Sequence, residues 1–323
     1  MKRIFILAAS IALMTSCSNA SKQSKENAPD ATGSGKVSGT IQLSGAFALY
    51  PMVVKWSEEF RKLHPDIKID ISGGGAGKGM TDALAGVVDI GMVSREVHPE
   101  ELEKGAFPIA VVKDAVVPVI NAGNPEIETI RKTGLKKEIA AKLWNQEFKT
   151  WGEVLGASSK IPVHVFTRSD ACGAAETFAA WFNQKQENMK ATGVFGDPGI
   201  ASAVQNDKVS IGYNNIAYAY DQKTKKPFEG LAIIPIDVNG NGVIDPEENF
   251  YETTDSLIKA INDGRFPSPP ARELYLVTKG KPVKPEVIAF LNYVLTEGQQ
   301  YTSETGYIGL SEETLKAGIN KIK

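Results

Sequence analysis

The sequence predicts an α/β fold with a largely parallel sheet, and three observations carry this prediction. Short apolar runs typical of strands recur along the chain, glycine-rich loops follow several of them, and residues at helical spacing follow the loops. A strand, loop, helix, strand order builds parallel sheets. The chain has 323 residues, 42% apolar and 23% charged, which is typical of a globular protein and sufficient for two domains.

The predicted elements follow this order along the chain. Alternating or continuous apolar runs predict strands at 37–43, 67–71, 89–94, 110–120, 161–166, 209–213, 231–236 and 272–278. Helices are predicted at 52–63, 80–84, 129–144 and 174–183, and onward from 286 and from 311. In the first helix, for example, Val53, Trp56 and Phe60 recur at helical spacing. No internal repeat of about 20 to 50 residues is present in the sequence.

The first residues have the pattern of a secretory signal. Lys2 and Arg3 precede an apolar run over 4–14, which is too short to span a bilayer. The run ends in Met-Thr-Ser-Cys, which resembles a bacterial lipoprotein cleavage box with Cys17 as the lipidated residue. We therefore expect a signal peptide over 1–16 and a polar, flexible tether over 17–36. The alternative is an ordinary signal peptide with a chance cysteine.

Charge and motif content exclude several classes of function. With 36 Lys and Arg against 38 Asp and Glu, the chain lacks the basic excess that nucleic-acid binding needs. No known histidine, serine or P-loop catalytic pattern is present, since His64, His98 and His164 are scattered. Cys172 is expected to be an unpaired pocket-lining or buried residue rather than a nucleophile. No catalytic residue and no enzyme activity are predicted.

One structural arrangement, a strand followed by a loop and a helix start, is predicted three times. The loops 44–51, 72–80 and 167–174 each end a strand in small residues and open a helix. A helix start presents unpaired backbone N–H groups and the positive end of the helix dipole, and small residues let an anion approach them. One glycine turn alone can serve packing only. Three loops at the carboxyl ends of strands predict a shared oxyanion site.

Five segments carry a resemblance to a known family. They are the DIGMVSR sequence at 89–95, the SGGGAGKG loop at 72–79, the TRSDACG loop at 167–173, Ile-Gly-Tyr at 211–213, and Phe-Pro at 266–267 with ELYLVTK at 273–279. Together these resemble the phosphate-type substrate-binding proteins of ABC transporters, which have the type II periplasmic binding fold. The resemblance covers most of residues 38–310.

The resemblance implies two lobes, each a mostly parallel sheet flanked by helices, that close on a ligand. Lobe 1 would hold 37–117 and 272–323, and lobe 2 would hold 118–271, with crossing strands near 116–121 and 269–273. The implied function is an extracytoplasmic, monomeric solute-binding lipoprotein that passes phosphate or a related oxyanion to an ABC permease, anchored to the bacterial membrane by lipid only. The alternative is an anion-sensing or interaction lipoprotein on the same fold that does not serve transport.

The same motifs assign the expected ligand contacts, with Arg168 and Arg95 supplying charge. The positions are Gly45, Ala46, Phe47, Gly75, Ala76, Gly77, Ser94, Arg95, Arg168, Ser169, Asp170, Cys172, Gly173 and Ala174. Alternatively, Arg168 and Asp170 form a purely structural pair.

Alanine or cysteine replaces a hydroxyl donor of the family at several of these positions. Three lost hydrogen bonds to a charged ligand would cost about 5–9 kcal/mol, while a micromolar affinity totals only about 8 kcal/mol. Either other donors compensate or the ligand differs, and Phe47 with its neighbouring alanines leaves an organophosphate, phosphonate or other organic anion as the alternative.

A separate segment fits the twelve-residue calcium loop. The residues at the ligand positions are Asp237, Asn239, Asn241, Val243 through its carbonyl, Asp245 and Glu248, with Gly242 at the turn. The flanks do not read as two helices, so a polar turn is the alternative. We expect Ca²⁺ to bind with weak affinity and to have a structural role. No other cofactor is expected.

Overall fold

Two long strands organise the computed structural model, which describes residues 37–323. The strands of this part of the chain are β1 (Gly39–Gly45), β2 (Ile67–Gly73), β3 (Ile90–Val93), β4 (Ala106–Asn121), β5 (His164–Arg168), β6 (Thr192–Val194), β7 (Ser210–Asn215), β8 (Leu231–Ile233) and β9 (Ala271–Lys279). Their order is β2-β1-β3-β9-β4-β7-β5-β6, and β8 pairs with β4.

Helices flank this sheet. They are α1 (Tyr50–Leu63), α2 (Ala76–Ala85), α3 (Pro99–Glu103), α4 (Ile127–Thr133), α5 (Lys137–Trp144), α6 (Trp151–Leu155), α7 (Gly173–Trp181), α8 (Gly196–Asn206), α9 (Ile216–Ala219), α10 (Thr254–Asn262), α11 (Pro285–Leu295) and α12 (Glu312–Ile322). Short 3₁₀ turns lie at Phe47–Leu49, Gln186–Asn188 and Glu297–Tyr301. Within the described residues no helix is long and apolar enough to cross a membrane.

The pairing is parallel at both ends of the sheet and antiparallel in its middle. β1 pairs in parallel with β2 and β3, and β5 pairs in parallel with β6 and β7. β4 and β9 run antiparallel to each other and link the two parallel groups. The expected α/β fold is confirmed, with the parallel character confined to the outer strands.

Two hydrophobic cores lie on this framework. The first core contains residues from Ile41 to Val112 and from Leu274 to Ile322. The second core contains residues from Ala115 to Ala271, together with Ile308. The chain therefore changes core along β4 and again along β9, within a few residues of the expected lobe boundaries. The division into lobes 1 and 2 stays a prediction, and these two names are used below for the ranges given above.

One long helix of the sequence analysis is two helices in the structure. The expected helix at 129–144 is interrupted between α4 and α5, where Gly134 has a positive φ of 66°. The next residue leaves the helix because its N–H donates to the carbonyl of Pro235 at 2.8 Å and its carbonyl accepts from Asp237. The expected strand at 231–236 is shorter in the structure, because β8 ends at Ile233, although the N–H of Ile234 still donates to Pro118 of β4 at 3.0 Å.

Candidate functional site

Backbone from the three glycine-containing loops meets at one place. The N–H of Gly74 donates to the carbonyl of Gly45 at 2.9 Å, which joins the loops 44–51 and 72–80. The N–H of Gly77, in the first turn of α2, donates to the carbonyl of Ala171 at 3.2 Å. A Cβ built on Gly75 would lie 2.8 Å from that carbonyl oxygen, and one on Gly173 would lie 2.0 Å from the Ser94 carbonyl. Only glycine allows approaches this close. The loops of lobe 1 and lobe 2 are therefore in direct contact.

Arg168 lies at the centre of this convergence, at the end of β5. Its Nε and Nη2 donate to the two carboxylate oxygens of Asp170 at 2.8 and 2.6 Å. Its Nη1 donates to Asp197, on the first turn of α8, at 2.5 Å. Burial alone would lower the pKa of the guanidinium, but the two carboxylates raise it above its ordinary value. The Arg168–Asp170 pair is thus one part of a larger buried cluster.

Phe47 closes one side of the same space. Its ring lies over the Arg168 guanidinium, 5.7 Å from the ring centroid, and meets Phe195 edge-on at 5.8 Å. Its carbonyl accepts a hydrogen bond from the Tyr218 hydroxyl at 3.1 Å. Phe47 therefore forms an apolar wall beside Arg168, and its ring also contacts the Arg168 guanidinium.

Cys172 is the N-cap residue of α7, a position where the hydroxyl of serine or threonine is common. Its Sγ accepts from the N–H of Ala175 at 3.3 Å, which satisfies one of the amides that a helix start leaves open. Burial raises the pKa of the thiol to about 12, against the opposing effect of Arg168. The amides of Gly173 and Ala174, which precede the first intrahelical bond, lie at the helix end that faces Ser94.

Arg95 lies at the edge of the contact rather than at its centre. Its guanidinium donates to both oxygens of Glu101 at 2.8 and 2.6 Å and lies 3.1 Å from Glu176, on α7. His98 also reaches Glu176, at 2.9 Å. Burial alone would lower the pKa of Arg95, but these carboxylates raise it. Arg95 therefore bridges the two lobes, with its charge balanced by Glu101 and Glu176.

The other expected contact residues lie in different settings. Ala46 is buried, and its N–H donates to the carbonyl of Met92 at 2.9 Å. Ser169 is exposed, and its Cβ faces Gly193 of β6. Gly45 and Ala76 are buried beside these loops. Ligand contact by any of the expected residues stays a prediction.

Several polar residues of this region were not found from the sequence. Asp197 is buried, and its second carboxylate oxygen accepts from the Asn215 amide, while its carbonyl accepts from Asn214 at 2.9 Å. Glu176 and Tyr218 were missed as well. The available signal was an acidic residue followed by proline at a helix start, but the Gly-Asp-Pro-Gly sequence at 196–199 reads as an ordinary turn.

A cavity of about 930 Å³ lies beside the Arg95–Glu176 bridge, over β9. Arg272, Thr177 and Tyr275 belong to its lining, whereas Arg168 and Phe47 do not. Its two guanidinium groups, those of Arg95 and Arg272, already pair with carboxylates. Arg168 is paired with carboxylates as well, so ion pairing does not distinguish the two places. The cavity differs from the loop convergence in that Arg168 and Phe47 are not part of its lining.

The calcium-like loop adopts a compact conformation. Asp237 is buried, and its two oxygens accept from the amides of Gly240 and Gly242 at 2.7 Å each. Glu248 accepts from the amides of Val238 and Asn239. The Lys136 ammonium lies 3.9 Å from Asp237.

Among residues 37–323 no group of three or more His, Cys, Asp or Glu is placed to hold a metal ion. In the calcium-like loop, the backbone amides that bond to Asp237 and Glu248 take up oxygens that would otherwise face an ion. Calcium binding stays a prediction.

Comparison with known proteins identifies the family. A model described as a PBP superfamily domain matches residues 30–297. The phosphate-binding protein PstS of Bacillus subtilis is 30% identical, with 68% of this chain and 71% of the relative covered. PstS of Methanocaldococcus jannaschii is 24% identical over 87% of this chain and 85% of the relative.

A solved structure shares the fold. A protein from Clostridium perfringens, described as a phosphate ABC transporter substrate-binding protein with bound phosphate, has a TM-score of 0.70 and 22% identity, covering 84% of this chain and 100% of the other. The chain therefore belongs to the PBP superfamily, in the family of PstS-type substrate-binding proteins. The resemblance seen in the sequence motifs is confirmed.

Proposed function

We propose that this protein captures phosphate, or a closely related oxyanion, outside the cytoplasm and delivers it to an ABC importer. The observation that carries the proposal is that the start of α2 contacts Asp170 and Ala171, in the loop that follows Arg168 and opens α7. The names of the relatives, phosphate-binding protein PstS, and the phosphate held by the Clostridium structure support the same ligand class.

The donors at this place fit a small oxyanion. A guanidinium has five N–H groups, and three of those on Arg168 bond to Asp170 and Asp197, so two can serve a ligand. The amides of Ala76 in α2 and of Gly173 and Ala174 in α7 add neutral donors at positive helix ends, whereas the Gly77 amide already bonds to Ala171. These backbone groups replace the hydroxyl donors that the sequence lacks at Ala76 and Ala174.

The charges at this place favour an oxyanion that carries a proton. One guanidinium is surrounded by two carboxylates, so the Arg168 cluster has a formal charge of about −1 before the ligand arrives. A carboxylate accepts a hydrogen bond from a protonated ligand and repels one that has no proton. Phosphate keeps a proton near neutral pH and sulfate does not. We therefore expect phosphate to bind in preference to sulfate.

Isothermal titration of the purified protein at pH 7 tests this preference. The wild type is expected to bind phosphate with micromolar or tighter affinity and sulfate much more weakly. Asp170→Asn should reduce the discrimination, whereas Asp207→Asn, which alters an exposed pair with His164, should leave it unchanged. Binding of neither anion, or equal binding of both, would refute the proposal.

The rest of the proposal concerns location and chemistry. Cys17 and the expected tether lie outside the described residues, and we propose that lipid on this cysteine holds the protein at the bacterial membrane. Transport through a permease, a monomeric state and the absence of catalysis complete the proposal. The buried Cys172, whose thiol pKa lies at about 12, supports a binding role because it holds almost no thiolate near neutral pH.

A further inference from the structure

A continuous path of buried hydrogen bonds runs from Arg168 to the strands that link the two cores. Arg168 bonds to Asp197, and Asp197 accepts from the side-chain amide of Asn215, at the end of β7. The carbonyl oxygen of the same amide accepts from Nη2 of Arg272, on β9. Nε of Arg272 donates to Asp114, on β4, at 2.8 Å.

The middle of this path lies between two opposite charges. Asn215 is 1% exposed, and its amide presents N–H to a carboxylate and C=O to a guanidinium. Asparagine suits this position because it is neutral and carries a donor and an acceptor at opposite ends. An aspartate there could accept from Arg272 but could not donate to Asp197, and an apolar side chain could do neither.

Arg272 ties the same path to a second part of the candidate site. Its Nη1 donates to the hydroxyl of Thr177 at 3.1 Å, and Thr177 lies one turn into α7. Arg272, on the crossing strand β9, therefore bonds to the other crossing strand, β4, through Asp114. The same guanidinium also bonds to α7 through Thr177 and to the amide of Asn215. Asp197 and Asn215 are 2% and 1% exposed, so their mutual hydrogen bond is shielded from water and is stronger than it would be in solvent. Arg272 and Thr177 border the cavity over β9, so their bonds are only partly shielded.

We propose that Asn215 and Arg272 are positioning residues for anion capture, which fix Arg168 and the start of α7 relative to β4 and β9. The inference rests on the proposed function, because it assigns these residues a part in the same binding event. Loss of the Asn215 amide leaves one carboxylate oxygen of Asp197 without its donor. It also removes one acceptor of Arg272, which keeps its bonds to Asp114 and Thr177. Arg168 keeps its bond to the other oxygen of Asp197, but that carboxylate is now held less firmly, so the free N–H groups of Arg168 lose part of their fixed direction.

Titration of phosphate into Asn215 variants tests the proposal. Asn215→Ala is expected to weaken phosphate binding about tenfold or more, within the range of roughly 5–150-fold that couples two sites in a protein. Asn121→Ala is the matched control, since Asn121 is a buried asparagine of lobe 2, 5% exposed, whose amide bonds to the backbone of Val204 and Gln205. It should lower the melting temperature and leave affinity within about twofold of wild type.

A second variant adds a readout that a loss of packing would not produce. In Asn215→Asp the new carboxylate faces Asp197, Asp114 and Arg272, with Arg168 and Asp170 beyond them. Two facing carboxylates repel each other unless one of them is protonated and donates a hydrogen bond to the other. The ratio of variant to wild-type phosphate affinity should therefore fall about tenfold between pH 5.5 and pH 8. This variant also tests the proposal if Asn215→Ala does not fold.

The outcomes separate this inference from the proposed function. If the wild type binds phosphate and both Asn215 variants match it at every pH, the positioning role is wrong and the function stands. An affinity loss in Asn121→Ala equal to that in Asn215→Ala also overturns the positioning role. If the wild type binds no phosphate, the proposed function fails and the inference fails with it.

Discussion

Replacing Gly173 by alanine should block closure of the two lobes without disturbing the separate lobes. The added Cβ would lie 2.0 Å from the carbonyl oxygen of Ser94, whereas ordinary contacts begin at 3.4 Å. Ser94 and Gly173 must therefore separate by about 1.4 Å. The neighbouring bond between Gly77 N–H and Ala171, already 3.2 Å long, would not survive that shift.

The expected cost follows from overpacking of this kind. Inserting a methyl group where backbone cannot move costs about 1–3 kcal/mol, and a loss of about 2 kcal/mol in the closed state weakens apparent affinity roughly thirtyfold. Gly173 does not have a positive φ, and alanine is a better helix former than glycine. The ligand-free protein should therefore keep its melting temperature or gain slightly.

Two further glycine variants calibrate this prediction in the same titration with phosphate. Gly77→Ala would place its Cβ 3.0 Å from the Ala171 side chain, so it should weaken binding less than Gly173→Ala. Gly318→Ala, in α12, would meet side-chain ends of Leu295 at 3.2 Å and of Ile109 at 3.8 Å, and it should leave affinity unchanged. Wild-type affinity in Gly173→Ala would refute the close contact between Ser94 and Gly173 in the bound state.

The thiol and the calcium-like loop give the remaining predictions. Cys172 should resist alkylation in the folded protein at pH 8, and rapid labelling there would contradict its burial. Because burial raises its pKa from 9.0 to about 12, its contribution to stability is present below pH 9 and is lost as pH rises toward 12, relative to Cys172→Ala. Calcium should raise the melting temperature of the wild type and not of Asp237→Ala, and an equal rise in both would exclude this loop as the site.

The sequence predicted the parts of the fold that depend on local pattern. The β1, loop, α1 and β2, loop, α2 units follow from apolar spacing and glycine placement, because both act within a few residues. The break between α4 and α5 has a local signal in Gly134, a glycine with positive φ at the end of α4, which the continuous helical pattern obscured. The bond from the N–H of Leu135 to Pro235, which is distant in sequence, has no local signal. Tertiary pairing there overrides a continuous helical pattern.

The candidate site likewise contains residues that local sequence patterns predict and residues that they do not. The loops and Arg168 were visible as motifs, since glycine-rich turns and a nearby cation have local signatures. No sequence signal identifies three buried polar residues of the region, because the hydrogen-bond partner of each lies on another element of the fold. These residues are Asp197, Asn215 and Asp114. Motifs identify the groups at a site, whereas the partners that balance and orient them appear only when the chain is folded.

A crystal structure of the protein grown with phosphate tests the central claim most directly. The account predicts one phosphate between the first turns of α2 and α7, with hydrogen bonds from backbone amides of both lobes and from Arg168. Phosphate bound elsewhere, for instance in the cavity over β9, or a phosphate that contacts only one lobe, would contradict it.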